Sequence, residues 1–386
     1  MNKMSNIQLK RDVNFSEIEK LAEKILAEKP EKLQIPNSLS FSGGFGMEGA
    51  ILQLLGTWFR ASSTHTLHTS IQDLKPDSFN DLCNSLFGLI ALRLSDSILL
   101  SGKQEVNLVD ALRPAIPILN NIRSEEFKSS FKGLYLALPA IKSPVIRGGR
   151  DREFDSPLYN KEEVVGALKF NKITFNALSA IIPRARDIDS SVVSHLSEII
   201  RELFTNTHRH GRADVYGNPL DKNFRGIIFN SMSMNSSRLK DIARSGGGDL
   251  TLFIADWKPE GNKQFKALDI TVVDSGPGYA RRWQKLDKDQ LTIDLEKESI
   301  LACFTKHKST GSGDSSGSGL SNVLSDLKAL RGWFRLRTGR TLVQKSFFNH
   351  DGVDTIELKD IKEKKDFLEG VVFNVVIPLE SLLGDR

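Results

Sequence analysis

The stretch SEIIRELFTNTHRHG, Ser197 to Gly211, places Glu202, Asn206 and His210 at strict four-residue steps. A helix turns once every 3.6 residues, so the three side chains form one polar stripe. Beside them Leu196, Ile199, Ile200, Leu203 and Phe204 recur at helical spacing and make an apolar face. The chain must therefore build a helix that packs into a core. The same helix must carry a carboxylate, a carboxamide and an imidazole along the border of its packed face. A surface helix with a repeating polar edge would show the same pattern, so its meaning depends on the rest of the chain.

Two further stretches bear on it. In ALDITVVDSGPGYA, the apolar run Leu268–Val273 leads into Asp274, Ser275, Gly276, Pro277 and Gly278. This reads as a strand ending in an Asx-type turn, or as a carboxylate fixed at a strand end beside glycines that let a ligand approach the backbone. Such an Asp could accept a hydrogen bond from an exocyclic amine. In TKHKSTGSGDSSGSGLSNVLSDL, Gly311, Gly313, Gly317 and Gly319 stand among serines and threonines. A flexible linker has this composition. Here, though, the run opens into an amphipathic helix of Leu320, Val323, Leu324, Leu327 and Leu330, and such a helix N-terminus presents free N–H groups to phosphate. No Gly-Lys-Ser/Thr follows the glycines, and no strand precedes them, so neither a P-loop nor a Rossmann fingerprint is present.

ExxxNxxxH on a helix, then DxGxG after a strand, then a Gly-rich loop ending in GxGL before a helix, resembles the GHKL superfamily. That superfamily contains ATPases of the gyrase, heat-shock-chaperone, histidine-kinase and mismatch-repair types. The resemblance spans roughly residues 160 to 380 and implies a Bergerat fold, an α+β two-layer sandwich, with ATP and Mg²⁺ as cofactors. It implies that Asn206 coordinates Mg²⁺, that Glu202 is the general base for an attacking water, and that His210 matches the "NAxxH" ending of the kinase branch. Asp274 would read the adenine amine, with Gly276 and Gly278 shaping the pocket. Gly311, Gly313, Gly317 and Gly319, followed by Leu320, would form the lid and second glycine box, with Lys306 and His307 adding positive charge at its start. The terminal EGVVFNVVIPL is similar to the family's "GTxFxxxLP" ending at Gly370, Phe373 and Pro378, but has Val371 where that pattern has Thr. Thr338 is an alternative hydroxyl.

The rest of the chain frames these expectations. Apolar residues at 39% and charged residues at 26% describe an ordinary folded protein. The charge balance, 53 − 48 = +5, is mild. Basic clusters such as LKALRGWFRLRTGR ordinarily solvate a surface, so nucleic acid is a weaker expectation than a protein partner. Two distant cysteines, Cys83 and Cys303, argue against a disulfide framework or a zinc site and fit a reducing cytoplasm. The start has no apolar h-region. The most apolar run, LFGLIALRLSDSILL, is interrupted at Arg93, Ser95 and Asp96 well short of the ~20 residues a spanning helix needs. No membrane segment is expected.

Residues 1–146 read as a strand–helix–strand–helix α/β region for regulation or interaction, similar in order to a STAS domain. It ends on one long helix across SFNDLCNSLFGLIALRLSDSILLS. Residues 147–160, charged and turn-rich, read as a linker. Residues 161–386 would form the ATP-binding domain that the resemblance implies, with strands at FRGIIFNSMSM and LTLFIADW before ALDITVVD, and an insertion or extended hairpin between Arg212 and Leu268. Three functions fit: an ATPase that switches a partner in signalling, stress or defence; a protein kinase of the histidine-kinase or anti-sigma type; and a non-catalytic ATP-binding module. A homodimer is compatible with each. His195, seven residues before Glu202, reads as a structural histidine.

Overall fold

The computed structural model describes residues 7–40, 44–143, 153–246, 248–257, 264–305, 319–348 and 354–383. Twelve strands are defined among them. They are β1 (Ile7–Gln8), β2 (Lys32–Ile35), β3 (Thr66–Thr69), β4 (Ser97–Leu99), β5 (Glu105–Val106), β6 (Tyr135–Lys142), β7 (Tyr159–Asn160), β8 (Glu163–Val164), β9 (Asn223–Met234), β10 (Phe265–Asp274), β11 (Trp333–Ser346) and β12 (Ile361–Pro378). The helices are α1 (Phe15–Glu28), α2 (Met47–Ala61), α3 (Asn80–Cys83), α4 (Leu86–Leu94), α5 (Leu108–Leu112), α6 (Ala115–Arg123) and α7 (Ala167–Ile181). They continue with α8 (Ser190–His210), α9 (Ser236–Gly246), α10 (Gly248–Asp256), α11 (Tyr279–Gln284), α12 (Ile293–Phe304), α13 (Gly319–Ala329) and α14 (Leu379–Leu383).

The fold is mixed α/β with two five-stranded sheets. The first has the order β1-β2-β3-β4-β5, parallel except for β5. The second, β11-β12-β10-β9-β6, is antiparallel throughout. Sequential parallel strands with right-handed crossovers put α1, α2 and α4 on one face of the first sheet. These helices also touch the second sheet, α2 at β10 and β12, α4 at β6 and β9, and α1 at β12. Burial is what this double contact requires: α2 is buried at every position from Met47 to Phe59, and α4 at all but Arg93. A helix enclosed on all sides reads as apolar all round.

Alternation along the strands separates the two faces of the second sheet. Thr271 and Val372 meet Gly49 of α2, and Gly226 meets Leu86 of α4, whereas Asp274 meets Gly211 at the end of α8. Helices α7 and α8 cover that other face, and α13 lies on α8. The layers run sheet, helices, sheet, helices. The sandwich expected for residues 161–386 is thus covered on both faces, the second by helices from the N-terminal third.

Several local expectations change. The run read as one long helix is two, α3 and α4, followed by β4. Ser85 starts α4 by accepting from Gly88 N, and a Cβ on Gly88 would overlap the Leu82 carbonyl. LTLFIADW is helical, in α10, with Phe253 and Trp257 packed towards Trp333 and Phe265. A short apolar run does not separate strand from buried helix by period. β6 precedes the stretch read as a linker yet pairs along its full length with β9. Within that stretch Glu153, Leu158 and Tyr159 are buried and β7 pairs with β8. The insertion between β9 and β10 is α9 and α10 rather than a hairpin. No helix among the described residues is long and apolar enough to cross a membrane.

Candidate functional site

The site is organised by α8. Asp189 caps it by accepting from Ser191 N at 2.7 Å, and it ends at Gly211, whose N–H bonds to Thr207 O at 2.7 Å. Its apolar face, including Leu196, Ile199, Ile200, Leu203 and Phe204, is buried, while Glu202, Asn206 and His210 are half-buried along its edge. The stripe read from the sequence is present.

At the C-terminal end of α8, the turn after β10 closes onto the helix. A Cβ on Gly276 would stand 2.5 Å from the Gly211 Cα, and one on Gly211 would stand 2.9 Å from Asp274 Cγ. Only glycine at both positions permits this approach. Asp274 is buried, and its Oδ1 accepts from Gly276 N at 2.8 Å. Burial pushes its carboxyl up to about 7, against the pull of the Gly276 N–H and the Arg225 guanidinium. Gly278 has φ +80°, and its neighbour Tyr279 donates its N–H to Thr338 Oγ1 at 3.3 Å. Gly370 N donates to Gly276 O at 2.7 Å. Thr338 pairs in register with Val371, so a hydroxyl does sit beside the position where Val371 lacks one. His210, just before Gly211, is pulled down to about 4 by burial and then by Arg282 and Arg209, and its ring is neutral at pH 7. Its Nδ1 is buried with no hydrogen-bond partner among the described residues.

Eight residues before His210, or about 12 Å along the helix, Glu202 faces α13. A Cβ on Gly319 would overlap Glu202 Oε2, so the carboxylate lies against the first residue of α13. Arg201 donates to Glu202 Oε1 at 2.7 Å and to Glu198 Oε1 at 2.6 Å. Burial raises the Glu202 carboxyl and the Arg201 charge opposes that rise. Further along, His195 Nδ1 lies 2.8 Å from Asp326 Oδ1. The pairs 202–319 and 195–326 run in opposite directions, so α8 and α13 are antiparallel. Leu320, the second residue of α13, is buried. The Asn206 side chain, midway between Glu202 and His210, has no hydrogen-bond partner among the described residues.

The fold thus brings Asp274, Gly276 and His210 together at the C-terminal end of α8, and Glu202 together with Gly319 and Leu320 about two turns earlier on the same helix. Gly278 lies one step behind the first group. Lys306, His307, Gly311, Gly313 and Gly317 fall outside the described residues.

Sequence reasoning missed the support beneath the Asp274 end. Arg225 stands directly across from Asp274 in the β9–β10 register and is fully buried. It donates to Glu153 Oε1 at 2.7 Å, Asn223 Oδ1 at 2.8 Å and Tyr159 OH at 2.9 Å. Arg212, after α8, lies 3.3 Å from the same Glu153 and stacks over Phe154. A polar cleft of about 340 Å³ opens beside Gly276 and Pro277, where Arg60 and Arg281 face Asp214, Asp287 and Glu369. Its charges largely cancel, and Arg281 is already paired with Glu369 at 3.1 Å. Comparison with protein-family models, with curated proteins and with solved structures found no match.

Proposed function

We propose that the chain is an ATP-binding protein of the GHKL kind, in which α8, β10 and α13 make a Bergerat-type pocket and the first sheet with its helices makes a STAS-like input or output region. One observation carries this reading: a single helix edge joins a buried strand-end carboxylate, Asp274, to a second carboxylate, Glu202, set against the start of a helix that follows a glycine-rich segment. Such an edge suits a ligand that is recognised at one end and reacts at the other. Asp274 would accept the adenine amine, and Glu202, its carboxyl raised by burial, would orient water. The amides of Gly311, Gly313, Gly317 and Gly319 would contact phosphate.

Asn206 would hold Mg²⁺. Among the described residues its carboxamide makes no hydrogen bond, and no group of three His, Cys, Asp or Glu could hold a metal. That donor set fits an ion that takes one protein oxygen and otherwise phosphate and water. Mg²⁺ would neutralise phosphate charge when bound.

A switch on a partner is supported by how α2 reaches the site. Gln53 Nε2 donates to Arg337 O at 3.0 Å and Gly370 O at 3.5 Å, and Glu369 N donates to Thr57 Oγ1 at 3.1 Å. The same Gly370 holds Gly276, so a shift of the 274–278 turn on nucleotide binding would be felt in α2. Such a shift needs different nucleotide affinities in the two states.

Incubation with γ-labelled ATP and Mg²⁺ tests the reading. Release of labelled phosphate that stops in Glu202→Gln while ATP binding persists identifies an ATPase. Label kept on protein identifies the kinase alternative, and binding with neither outcome identifies a non-catalytic module. Asp274→Asn is expected to weaken ATP binding by roughly tenfold or more, the worth of a hydrogen bond to a charged group. Absence of adenine-nucleotide binding by the wild-type protein sinks the assignment.

A further inference from the structure

On the face of the second sheet opposite α8, α1 lies against β12 and reaches β11 through Phe15 and Glu19, and an open pocket of about 390 Å³ lies between them. Its volume falls in the range of small-molecule sites. Arg335 of β11 forms part of the wall and is 4% exposed. Among the described residues its guanidinium has neither a hydrogen bond nor an ion pair, and its Nη1 is wholly buried and unpartnered. It lies over the face of Phe15, 4.1 Å from Cζ to the ring centroid, and feels the Glu19 carboxylate only through space. Two residues on, Arg337 has everything Arg335 lacks: it pairs with Glu19 at 3.3 Å and donates to the carbonyls of Asp366 and Thr341.

The carboxylates of the wall are mostly taken. Glu19 serves Arg337, and Glu23 serves Lys365. That leaves Lys20, Arg335 and Lys364 against Asp366 among the unpaired wall residues, 3 − 1 = +2. Burial, and then Arg337, pulls Arg335 down to about 9, and burial also lowers Lys364. Arg335 remains charged at pH 7. A buried cation with no partner is among the costliest features a fold can keep, and here it faces open space rather than packed apolar side chains.

We propose that this cavity binds the phosphate group of a small ligand, with Arg335 as its buried anchor and Lys364 and Lys20 completing the charge. An excess of two positive charges matches a phosphate dianion better than a single carboxylate, and guanidinium–phosphate bonds are of the strong, charge-assisted kind. The site lies across the sheet from α8 and does not depend on what α8 binds.

The test is titration of the full-length protein with inorganic phosphate, followed by calorimetry and by thermal unfolding at fixed ionic strength against chloride. Wild type is expected to bind and to gain Tm. Arg335→Met is expected to weaken binding by roughly tenfold or more and to raise Tm without phosphate, since a buried unpaired charge is gone. Lys364→Met gives a second reading with less risk to the core. Asn206→Ala, on the far side of the sheet, is expected to leave phosphate binding unchanged. Glycerol 3-phosphate binding tighter than inorganic phosphate would identify a phosphorylated metabolite as ligand, and the reverse would identify free phosphate. The proposal is overturned if wild type shows no phosphate-specific effect, if succinate does as well as phosphate, if Arg335→Met binds like wild type, or if Asn206→Ala abolishes binding.

Discussion

Asp274 ends a strand inside the protein, and its burial has a consequence that can be measured without any ligand. Its carboxyl is raised to about 7 in the folded chain, from an ordinary value of 3.8. For an acid shifted upward, the folded state binds more protons than the unfolded state between those two values, so stability falls as pH rises through that window. One such group contributes about 1.4 kcal/mol per pH unit. Asp274→Asn removes the ionisation but keeps an oxygen for the Gly276 N–H. Denaturant unfolding of both proteins at pH 5, 6 and 7 is therefore expected to move in favour of the Asn variant by about 1 kcal/mol per unit. A difference that stays flat with pH would mean that the carboxyl is not held in this environment. His208 and His210, both pulled down to about 4, impose the opposite slope below pH 6.5 on both proteins and cancel in the comparison.

Among the helices, α2 shows how closely an element can be fitted between two sheets. A Cβ on Gly49 would stand 2.6 Å from Thr271 Cγ2 and 2.8 Å from Val372 Cγ1, both on stiff β-branched side chains in central strands. Gly56, two turns on, has 3.4 Å to Ser275 Cβ and 3.5 Å to Phe224. Replacing a helical glycine by alanine gains about 1 kcal/mol of helix propensity, while forcing a methyl into a packed core costs about 1–3 kcal/mol. Gly49→Ala is expected to lose stability and Gly56→Ala to hold or gain it, read as opposite shifts of the denaturation midpoint with unchanged slope. Elements are legible from the chain where period and length agree, as for α8, α13, β9 and β10. Where a short apolar run could serve either geometry, as at LTLFIADW, only packing on Trp333 and Phe265 decides. The break between α3 and α4 rests on one glycine contact with a carbonyl, which no periodicity carries. The Glu153–Arg225 pair, 72 positions apart, left only a polar stretch that looked like surface. The convergence of Asp274, Asn206 and Glu202 on α8 was read through a family resemblance and through helical spacing. Arg335 lies in the basic cluster LKALRGWFRLRTGR, and a reading of that cluster as a solvated surface gives no sign that its guanidinium is buried.

At the level of the whole molecule, the two halves share walls. The second sheet takes its edge strand, β6, from the N-terminal side, and its face opposite α8 is covered by α1, α2 and α4. Glu48 of α2 is fully buried, accepts from Phe87 N at 2.9 Å and from Tyr135 OH at 3.1 Å, and is pushed up to about 7 by that burial. A fragment of residues 153–386 would lose this cover and present an apolar sheet face and an unpaired strand edge to water. It is expected to aggregate or to lack a cooperative unfolding transition, and co-expression with residues 1–143 is expected to restore solubility. A soluble, cooperatively folding fragment would show that the shared layer is dispensable. The all-round burial of α2 also bears on how such a sequence can change over generations. Its side chains are buried all round within one continuous core, so a volume change on one side of the helix must be matched on the other. In relatives of this chain α2 should therefore drift least, and its substitutions should come in correlated pairs that cross the two halves.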